Sequence, residues 1–240
     1  MKVYLNRVDG IADAITSMYF SKRSWNRKKE KSIRYLIQSN TCISDGFCHS
    51  YSSLDEQFKD DMRKLCKYGN KHTTMLRFID FSITVEDLHR AGQDDWDAHA
   101  KRFENRIIRA STRLADFDSG EMSDYYKDKI IPTDEACKLF GLDLPQTINR
   151  DGVEYIKAVN GYIREDLKNN RDVKRGLYME SIPSSFIFKI NLTEWAHVYR
   201  MRNSDSNANP EVKELAEEIQ RQIESAVPWF TREFVLSIDN

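Results

Sequence analysis

Cationic side chains recur at helical spacing in the middle of the chain. Arg102, Arg106, Arg109 and Arg113 step by four, four and three residues, which would place them on one face of a helix. A guanidinium fork matches the geometry of a phosphate, and Ser111 offers a hydroxyl donor beside Arg113. The pattern favours a phosphate site, and ion pairs with nearby carboxylates are the alternative.

A second candidate is the segment His72-Thr73-Thr74, which stands just ahead of a predicted strand, 74–83. The imidazole and the hydroxyl are suited to donate hydrogen bonds to a phosphate or to a flavin ring system. A loop histidine that makes an ordinary hydrogen bond is the alternative.

A third candidate follows a second predicted strand, 184–191. Asn191 ends this strand, and His197 and Arg202 lie on the helix predicted to follow it. The polar loop 203–209 then leads into the next helix. A polar loop at a helix N-terminus suits an anion or an amide, although a well-capped turn would have the same composition.

The basic stretch Lys22–Lys31, which contains Trp25, is the fourth candidate. Its charge and its aromatic ring would suit a nucleic-acid backbone. A charge run of this kind is more often the solvated first turn of a helix. We therefore build no function on it.

Apolar spacing and strand-forming residues predict the elements that must position these groups. Strands are predicted over 1–8, 74–83 and 184–191, and helices over 31–39, 53–67, 94–114, 153–168, 192–202 and 210–227. Residues 117–150 give mixed signals and are interpreted as irregular. The last helix is the clearest, because Pro210 stands at a first helical position ahead of an apolar stripe.

Composition indicates one folded domain. The 240 residues carry 37 Lys+Arg and 38 Asp+Glu, for a formal net charge of -1, and no linker-like tract or repeat interrupts them. This balance removes the electrostatic argument for a duplex-binding protein, so nucleic acid is not the expected partner.

Several classes of protein are disfavoured by what the sequence lacks. The four cysteines have no CxxC spacing, which predicts free thiols and no metal site. Dinucleotide-fold, P-loop, hydrolase-elbow and zincin motifs are missing. No apolar run approaches the roughly 18 residues of a membrane span, and the first residues, MKVYLNRVDG, lack the apolar stretch of a signal peptide. We expect a cytoplasmic protein with no membrane partner.

Taken together, separated motifs in this chain resemble those of the flavin-dependent thymidylate synthase family. In chain order they are His72-x-Thr74, Ser111-x-Arg113, Arg175, Asn191, Arg202, Ala208-Asn209-x-Glu211 and Pro228-Trp229. The spacing of Arg175, Asn191 and Arg202 is that of the family pattern R(x15)N(x10)R. The family signature RHRxxSxNExSxR keeps its final Ser and Arg here, and two placements of its other residues stay open.

The resemblance implies an α/β (α+β) fold. This would be a single helix-rich domain, residues 1–240, with a central, mainly antiparallel sheet and with insertions near 86–97 and 118–151. It also implies a homotetramer whose FAD and dUMP sites are assembled from several subunits.

The activity implied by the resemblance is that of a methyltransferase. Its reaction is the reductive methylation of dUMP to dTMP, with 5,10-methylenetetrahydrofolate as the carbon donor and NADPH as the reductant of FAD. By the same resemblance, FAD contacts four residues: His72, Thr74, Asn191 and His197. The nucleotide is held by Ser111, Arg113, Arg175 and Arg202, and Arg202 is also the catalytic residue, since it would polarise a pyrimidine carbonyl.

Two alternatives remain open at this point. The chain has Asn207-Ala208-Asn209 where the family has His-Ala-Gln, which allows a same-fold flavoenzyme that methylates or hydroxymethylates another pyrimidine nucleotide, such as dCMP. The other is a non-enzymatic relative that binds nucleotide or nucleic acid through its basic segments.

Overall fold

The computed structural model describes residues 1–21, 56–97, 106–109, 124–158, 160–177, 183–204 and 208–238. The strands are β1 (Lys2–Asp9), β2 (Asp80–His89), β3 (Arg106–Arg109), β4 (Ile130–Pro132), β5 (Thr147–Arg150), β6 (Val153–Ala158), β7 (Gly161–Arg164) and β8 (Pro183–Asn191). The helices are α1 (Ile11–Ser21), α2 (Glu56–Gly69), α3 (Arg90–Asp97), α4 (Thr133–Phe140), α5 (Arg171–Arg175), α6 (Leu192–Ser204), α7 (Pro210–Ala226) and α8 (Arg232–Ser237). Two short 3₁₀ segments cover Thr73–Phe78 and Glu165–Leu167.

The strands form two four-stranded sheets, in the orders β1-β2-β8-β3 and β4-β7-β6-β5. All neighbours in the second sheet are antiparallel. The mixture of helices and antiparallel sheet confirms the predicted fold class. Within the described ranges, no helix combines the length and the apolar character that a membrane span requires.

The chain divides into two compact units, each built from separate stretches. The hairpin unit comprises Met1–Lys2, Val85–Ala98 and Arg109–Phe186, and the helical unit comprises Val3–Thr84, His99–Ile108 and Ile187–Asn240. Both expected insertions, 86–97 and 118–151, fall in the hairpin unit. That the whole chain is one domain stays a prediction.

A tight turn at Asp151-Gly152 organises the hairpin unit. Both residues have positive φ, 53° and 81°, and they join β5 to β6 so that Arg150 pairs with Val153. An Asp-Gly pair between strand-forming residues is a strong hairpin signal, because these residues tolerate positive φ. The predicted helix over 153–168 is therefore wrong, since these residues form β6, β7 and a 3₁₀ turn.

The segment interpreted as irregular, 117–150, contains regular elements in its described part. Strand β4 runs directly into α4, and β5 follows. Their apolar side chains pack on both faces of the second sheet, in clusters that include Ile131 with Tyr162 and Tyr126 with Ile163. The elements are short, so tertiary packing stabilises them more than local preference does.

The helical unit begins with β1 and a glycine turn into α1, a helix that the sequence analysis missed. Gly10 has φ +76°, and a Cβ there would lie 1.7 Å from the Phe78 carbonyl oxygen. Helix α1 buries Ile11, Ile15 and Met18 and packs against α2 and the 3₁₀ segment Thr73–Phe78.

Two predictions around the sheet of β1, β2, β8 and β3 are corrected by the structure. The predicted strand 74–83 starts at Asp80 and runs to His89, because residues 73–78 form the 3₁₀ segment and bury Met75 and Leu76. The predicted helix 94–114 is also wrong. Helix α3 ends at Asp97, and Arg106–Arg109 is strand β3, so a helical face that carries four arginines does not exist.

The C-terminal elements agree with the predictions. Strand β8, α6 and α7 lie within a few residues of their predicted bounds, and Pro210 is at the start of α7. Trp195 Nε1 donates to Gln220 Oε1 at 2.9 Å, and Gln220 Nε2 donates to the Phe230 carbonyl at 2.7 Å. These two buried hydrogen bonds hold α6, α7 and the chain before α8 together.

The predicted helix 53–67 is confirmed as α2 in its described part, from Glu56. Cys66 and Cys137 are free thiols, as predicted. The other two cysteines and the predicted helix 31–39 lie outside the described residues.

Candidate active site

His72 and Thr74 lie in one cleft of the helical unit. The cleft has a volume of about 610 Å³, within the usual range for small-molecule sites. Its described lining residues are Ser17, Ser21, Tyr68, Lys71, His72, Thr73, Thr74, Met75 and Phe78. These residues come from α1, the end of α2 and the 3₁₀ segment.

Backbone hydrogen bonds at the end of α2 hold the His72 side of the cleft. The amides of Lys71 and His72 both donate to the Tyr68 carbonyl at 3.1 Å, and that of His72 also donates to Gly69 at 3.2 Å. These bonds satisfy carbonyls that the helix end would otherwise leave unpaired. His72 precedes the 3₁₀ segment without a side-chain capping bond, so its imidazole is not used to cap that segment.

The cleft combines aromatic surface with polar groups and carries no negative charge among its described residues. Tyr68 and Phe78 remain 38% and 50% exposed, unusual for large aromatic side chains. The Ser17 and Ser21 hydroxyls donate to carbonyls of their own helix, at 2.7 and 2.8 Å, and offer lone pairs to a ligand. An anion that also carries an aromatic ring fits this set of groups.

Helix α6 is fastened to the same segment. Thr193 Oγ1 donates to the Thr73 carbonyl at 3.2 Å, and the Leu192 amide donates to the Ile79 carbonyl at 2.8 Å. Asn191, only 4% exposed, accepts the Glu194 amide at 2.9 Å and so caps the helix. The oxygen of Asn191 therefore has a structural task, and its contact with FAD stays a prediction.

His197 and Arg202 occupy different faces of α6. His197 is half-buried and follows Thr193 by one turn, so it lies on the face that meets the 3₁₀ segment. Arg202 follows Thr193 by nine residues, which puts it on roughly the opposite face and about 13 Å along the axis. Arg202 is not among the described residues of the cleft.

The remaining predicted residues lie elsewhere. Arg175 ends α5, in the hairpin unit. Ser111 and Arg113 lie outside the described residues. Arg200, also on α6, donates to the carbonyls of Leu236 and Ile238 at 3.3 and 2.5 Å and holds the end of α8.

A larger groove, of about 840 Å³, runs along α7 and the start of α8. Its charged side chains pair with one another: Arg221 with Glu218 at 2.5 Å, and Arg232 with Glu217. The hydrogen bond from Arg221 lowers the pKa of Glu218. Its described lining includes none of the predicted site residues, and its surplus of carboxylates would repel a phosphate.

Six residues of the cleft were missed by the sequence analysis: Ser17, Ser21, Tyr68, Lys71, Met75 and Phe78. One signal was available. The spacing of Ile11, Ala14, Ile15, Met18 and Tyr19 is that of an amphipathic helix, and all five are buried. It would have located α1, although not the elements that α1 meets.

Comparisons with known proteins bear on the family and the fold. The family model described as thymidylate synthase complementing protein, Thy1, matches residues 8–229. Among curated proteins, no sequence match was found.

Two similar solved structures are crystal structures of thymidylate synthase X from Helicobacter pylori with FAD and dUMP. The first has a TM-score of 0.54 and 12% sequence identity, and the match covers 98% of this chain and 100% of that one. The second has the same score and identity, with 97% and 99% covered. At this sequence identity the structural likeness establishes the fold alone, whereas the family model establishes the family. Since that model spans most of the sequence, the chain belongs to the Thy1 family of flavin-dependent thymidylate synthases, which are methyltransferases, as its motifs indicated.

Proposed function

We propose that this chain converts dUMP to dTMP by reductive methylation, with 5,10-methylenetetrahydrofolate as the carbon donor and NADPH as the reductant of FAD. The observation that carries the proposal is the cleft that holds His72 and Thr74 in a chain of this family. The similar Helicobacter pylori enzyme binds FAD and dUMP, which supports the same ligands here.

The residues of the cleft fit FAD. In this proposal the imidazole of His72 and the hydroxyl of Thr74 donate to it, and Tyr68 and Phe78, which line the same cleft, offer ring surface. His197 is on the face of α6 that meets the same segment, and Asn191 holds that helix in place. FAD, when bound, supplies the hydride transfer, which leaves the protein to bind and orient the reactants.

Arginine side chains serve the nucleotide in this proposal. A nucleotide monophosphate carries about two negative charges, which guanidinium forks and a hydroxyl neutralise well. Arg175, Arg113 and Ser111 would take the phosphate. Arg202 would hold the pyrimidine and polarise one of its carbonyls, which stabilises negative charge that develops on the ring during attack at C5.

The position of Arg202 supports an active site shared between chains. By helix geometry, Arg202 is about half a turn around α6 from Thr193, which bonds the 3₁₀ segment, so we infer that one chain does not bring Arg202 to the cleft. A second copy that supplies Arg202 to the cleft of the first would complete the site. We therefore retain the homotetramer as part of the proposal. A cytoplasmic location stays a prediction.

The proposal is tested by the colour and the products of the purified protein. We expect a flavin absorption band that bleaches when NADPH is added. With methylenetetrahydrofolate present, dUMP should be converted to dTMP, while a parallel reaction with dCMP should give no methylated product. A colourless protein that takes up no FAD on titration would contradict the proposal.

No observation favours the two alternatives. Asn209, which belongs to the loop that motivated a dCMP substrate, is 3% exposed and caps α7 by accepting the Glu211 amide at 3.1 Å. Its side chain thus has a structural task. The non-enzymatic reading required a helix that carries a stripe of arginines, and strand β3 replaces that helix. The stretch Lys22–Lys31 lies outside the described residues.

A further inference from the structure

Lys71 is the basic residue among the described cleft residues that no motif explains. It is exposed and supplies the positive charge of the described lining, in which no side chain is acidic. Two other lysines of the same region differ from Lys71 because each forms an ion pair. Lys59 and Lys64, on α2, pair with Glu56 and Asp61 at 2.6 and 3.4 Å.

The backbone of Lys71 is held in place while its ammonium group extends into solvent. Its amide donates to the Tyr68 carbonyl at 3.1 Å, which anchors it directly after the last turn of α2. The carbonyl end of a helix favours a cation, so the charge costs little there without a ligand. Because the backbone of Lys71 is fixed and its ammonium group is charged, Lys71 is suited to bind an anion that enters the cleft.

Two of the hydroxyl groups in the cleft already donate hydrogen bonds within the protein. The hydroxyls of Ser17 and Ser21 are engaged with Ala14 and Met18 carbonyls. A phosphate accepts hydrogen bonds and carries charge, and a lysine ammonium provides three donors and a positive charge. Lys71 is therefore the strongest phosphate ligand among the described lining residues.

We propose that Lys71 binds the diphosphate of FAD and so makes the cleft select the dinucleotide over riboflavin. This inference rests on the proposed function, because it takes FAD as the ligand. Riboflavin presents the same ring system without phosphate, and comparison of the two therefore isolates the charged contact.

The test measures the Kd of both flavins by titration of the flavin-free, full-length protein. Lys71→Ala should raise the Kd of FAD about tenfold, since a charge-assisted hydrogen bond at an exposed site is lost. The Kd of riboflavin should stay unchanged. Lys71→Arg should restore most of the FAD affinity. The FAD affinity of the unmutated protein should also depend more steeply on salt than that of Lys71→Ala.

Lys67→Ala is the matched control. Lys67 is exposed, carries the same charge and lies one turn earlier on α2, but it is not a described lining residue of the cleft. It should leave both Kd values unchanged, and thermal melts should show that each variant is folded.

The outcomes separate the two proposals. If the unmutated protein binds FAD but Lys71→Ala keeps its affinity, or loses affinity for both flavins equally, the role of Lys71 is wrong and the proposed function stands. An equal loss of FAD affinity in Lys67→Ala would also overturn the role of Lys71, because the affinity would then depend on the overall positive charge of the surface and not on a contact made by Lys71. If the unmutated protein binds neither flavin, both proposals fail.

Discussion

At the scale of single residues, one side chain can serve fold and site together. Asn191 is the example, because the family pattern assigns it to FAD while the structure uses its oxygen to cap α6. The cap sets where α6 begins, and two residues later Thr193 bonds the segment that carries His72 and Thr74. Removal of the cap should therefore disturb the cleft indirectly.

Asn191→Ala should lower the free energy of unfolding by about 1–2 kcal/mol, because a buried cap is lost. Asn191→Ser should recover most of that stability, since serine also accepts at this position. Denaturant unfolding measures the change in stability, and FAD titration measures whether the cleft still binds the cofactor. If Ser restores both stability and FAD affinity, Asn191 acts through α6; if it restores only stability, the amide also contacts FAD.

Cys66 is a second residue whose surroundings determine its chemistry. Burial raises the pKa of its thiol to about 12, and Sγ lies 3.7 Å from the Trp229 carbonyl, to which the thiol donates. Only the thiolate reacts with alkylating agents. At pH 8, iodoacetamide should leave the Cys66 peptide unlabelled in the native protein and label it in urea, as peptide mass spectrometry would show. Rapid labelling in the native protein would contradict this burial.

The same raised pKa predicts a loss of stability in alkali. The unfolded thiol ionises near its ordinary value of 9.0 and the folded one near 12, so the stabilisation is complete below pH 9 and is lost as pH rises toward 12. The free energy of unfolding should fall less steeply above pH 9 in Cys66→Ala than in the unmutated protein. Parallel slopes for the two proteins would show that Cys66 does not contribute.

At the scale of elements, the turn from β1 into α1 sets one wall of the cleft. Gly10 allows this turn to lie against the carbonyl of Phe78, a residue that lines the cleft. A side chain at residue 10 would have to displace backbone, because the nearest atom is a carbonyl oxygen. The glycine thus links a local turn to a long-range contact.

Gly10→Ala should destabilise the protein more than Gly152→Ala does. Both glycines have φ near +80°, so both substitutions cost about 1–2 kcal/mol of backbone strain. No atom lies within 4 Å of a Cβ at Gly152, whereas one at Gly10 would clash, for about 2 kcal/mol more. Denaturant unfolding measures the difference, and equal costs would mean that the turn shifts freely. Gly10→Ala should also weaken the binding of FAD, whereas Gly152→Ala should leave it unchanged.

At the scale of the whole molecule, the proposed site divides between the cleft and Arg202. His72→Ala should lower flavin occupancy, because it removes a donor in the cleft. Arg202→Ala should keep flavin near normal and abolish turnover, because Arg202 serves the nucleotide. Flavin absorbance and dTMP formation measure the two effects, and an equal loss of flavin in both variants would refute this division of roles.

A shared site predicts that two inactive variants can restore each other. If His72 comes from one chain and Arg202 from another, mixed oligomers of His72→Ala and Arg202→Ala contain intact sites, about one quarter of the total for random mixing. Co-expression followed by an assay for dTMP tests this. Oligomers of each variant alone are the controls, and an inactive mixture would place both residues in the same chain.

Local patterns in the sequence predicted several elements well. The start of α7 follows from Pro210 and its apolar stripe, and the strand–helix boundary at Asn191 follows from its type. Spacing alone failed for 94–114 and 153–168, where arginine and apolar periodicity resembled a helix. In the second case, the Asp151-Gly152 turn was the overlooked evidence, because positive φ at both residues favours a hairpin.

The sequence by itself determined the family, because separated motifs at set distances identify it even where the elements between them are misassigned. Only the tertiary structure decided that Ser17, Tyr68 and Phe78 share a cleft with His72. Caps and helix stripes depend on neighbours along the chain, and local energies make them readable in sequence. The cleft depends on packing between distant segments, such as Gly10 against Phe78, and such contacts leave no periodic trace in the sequence.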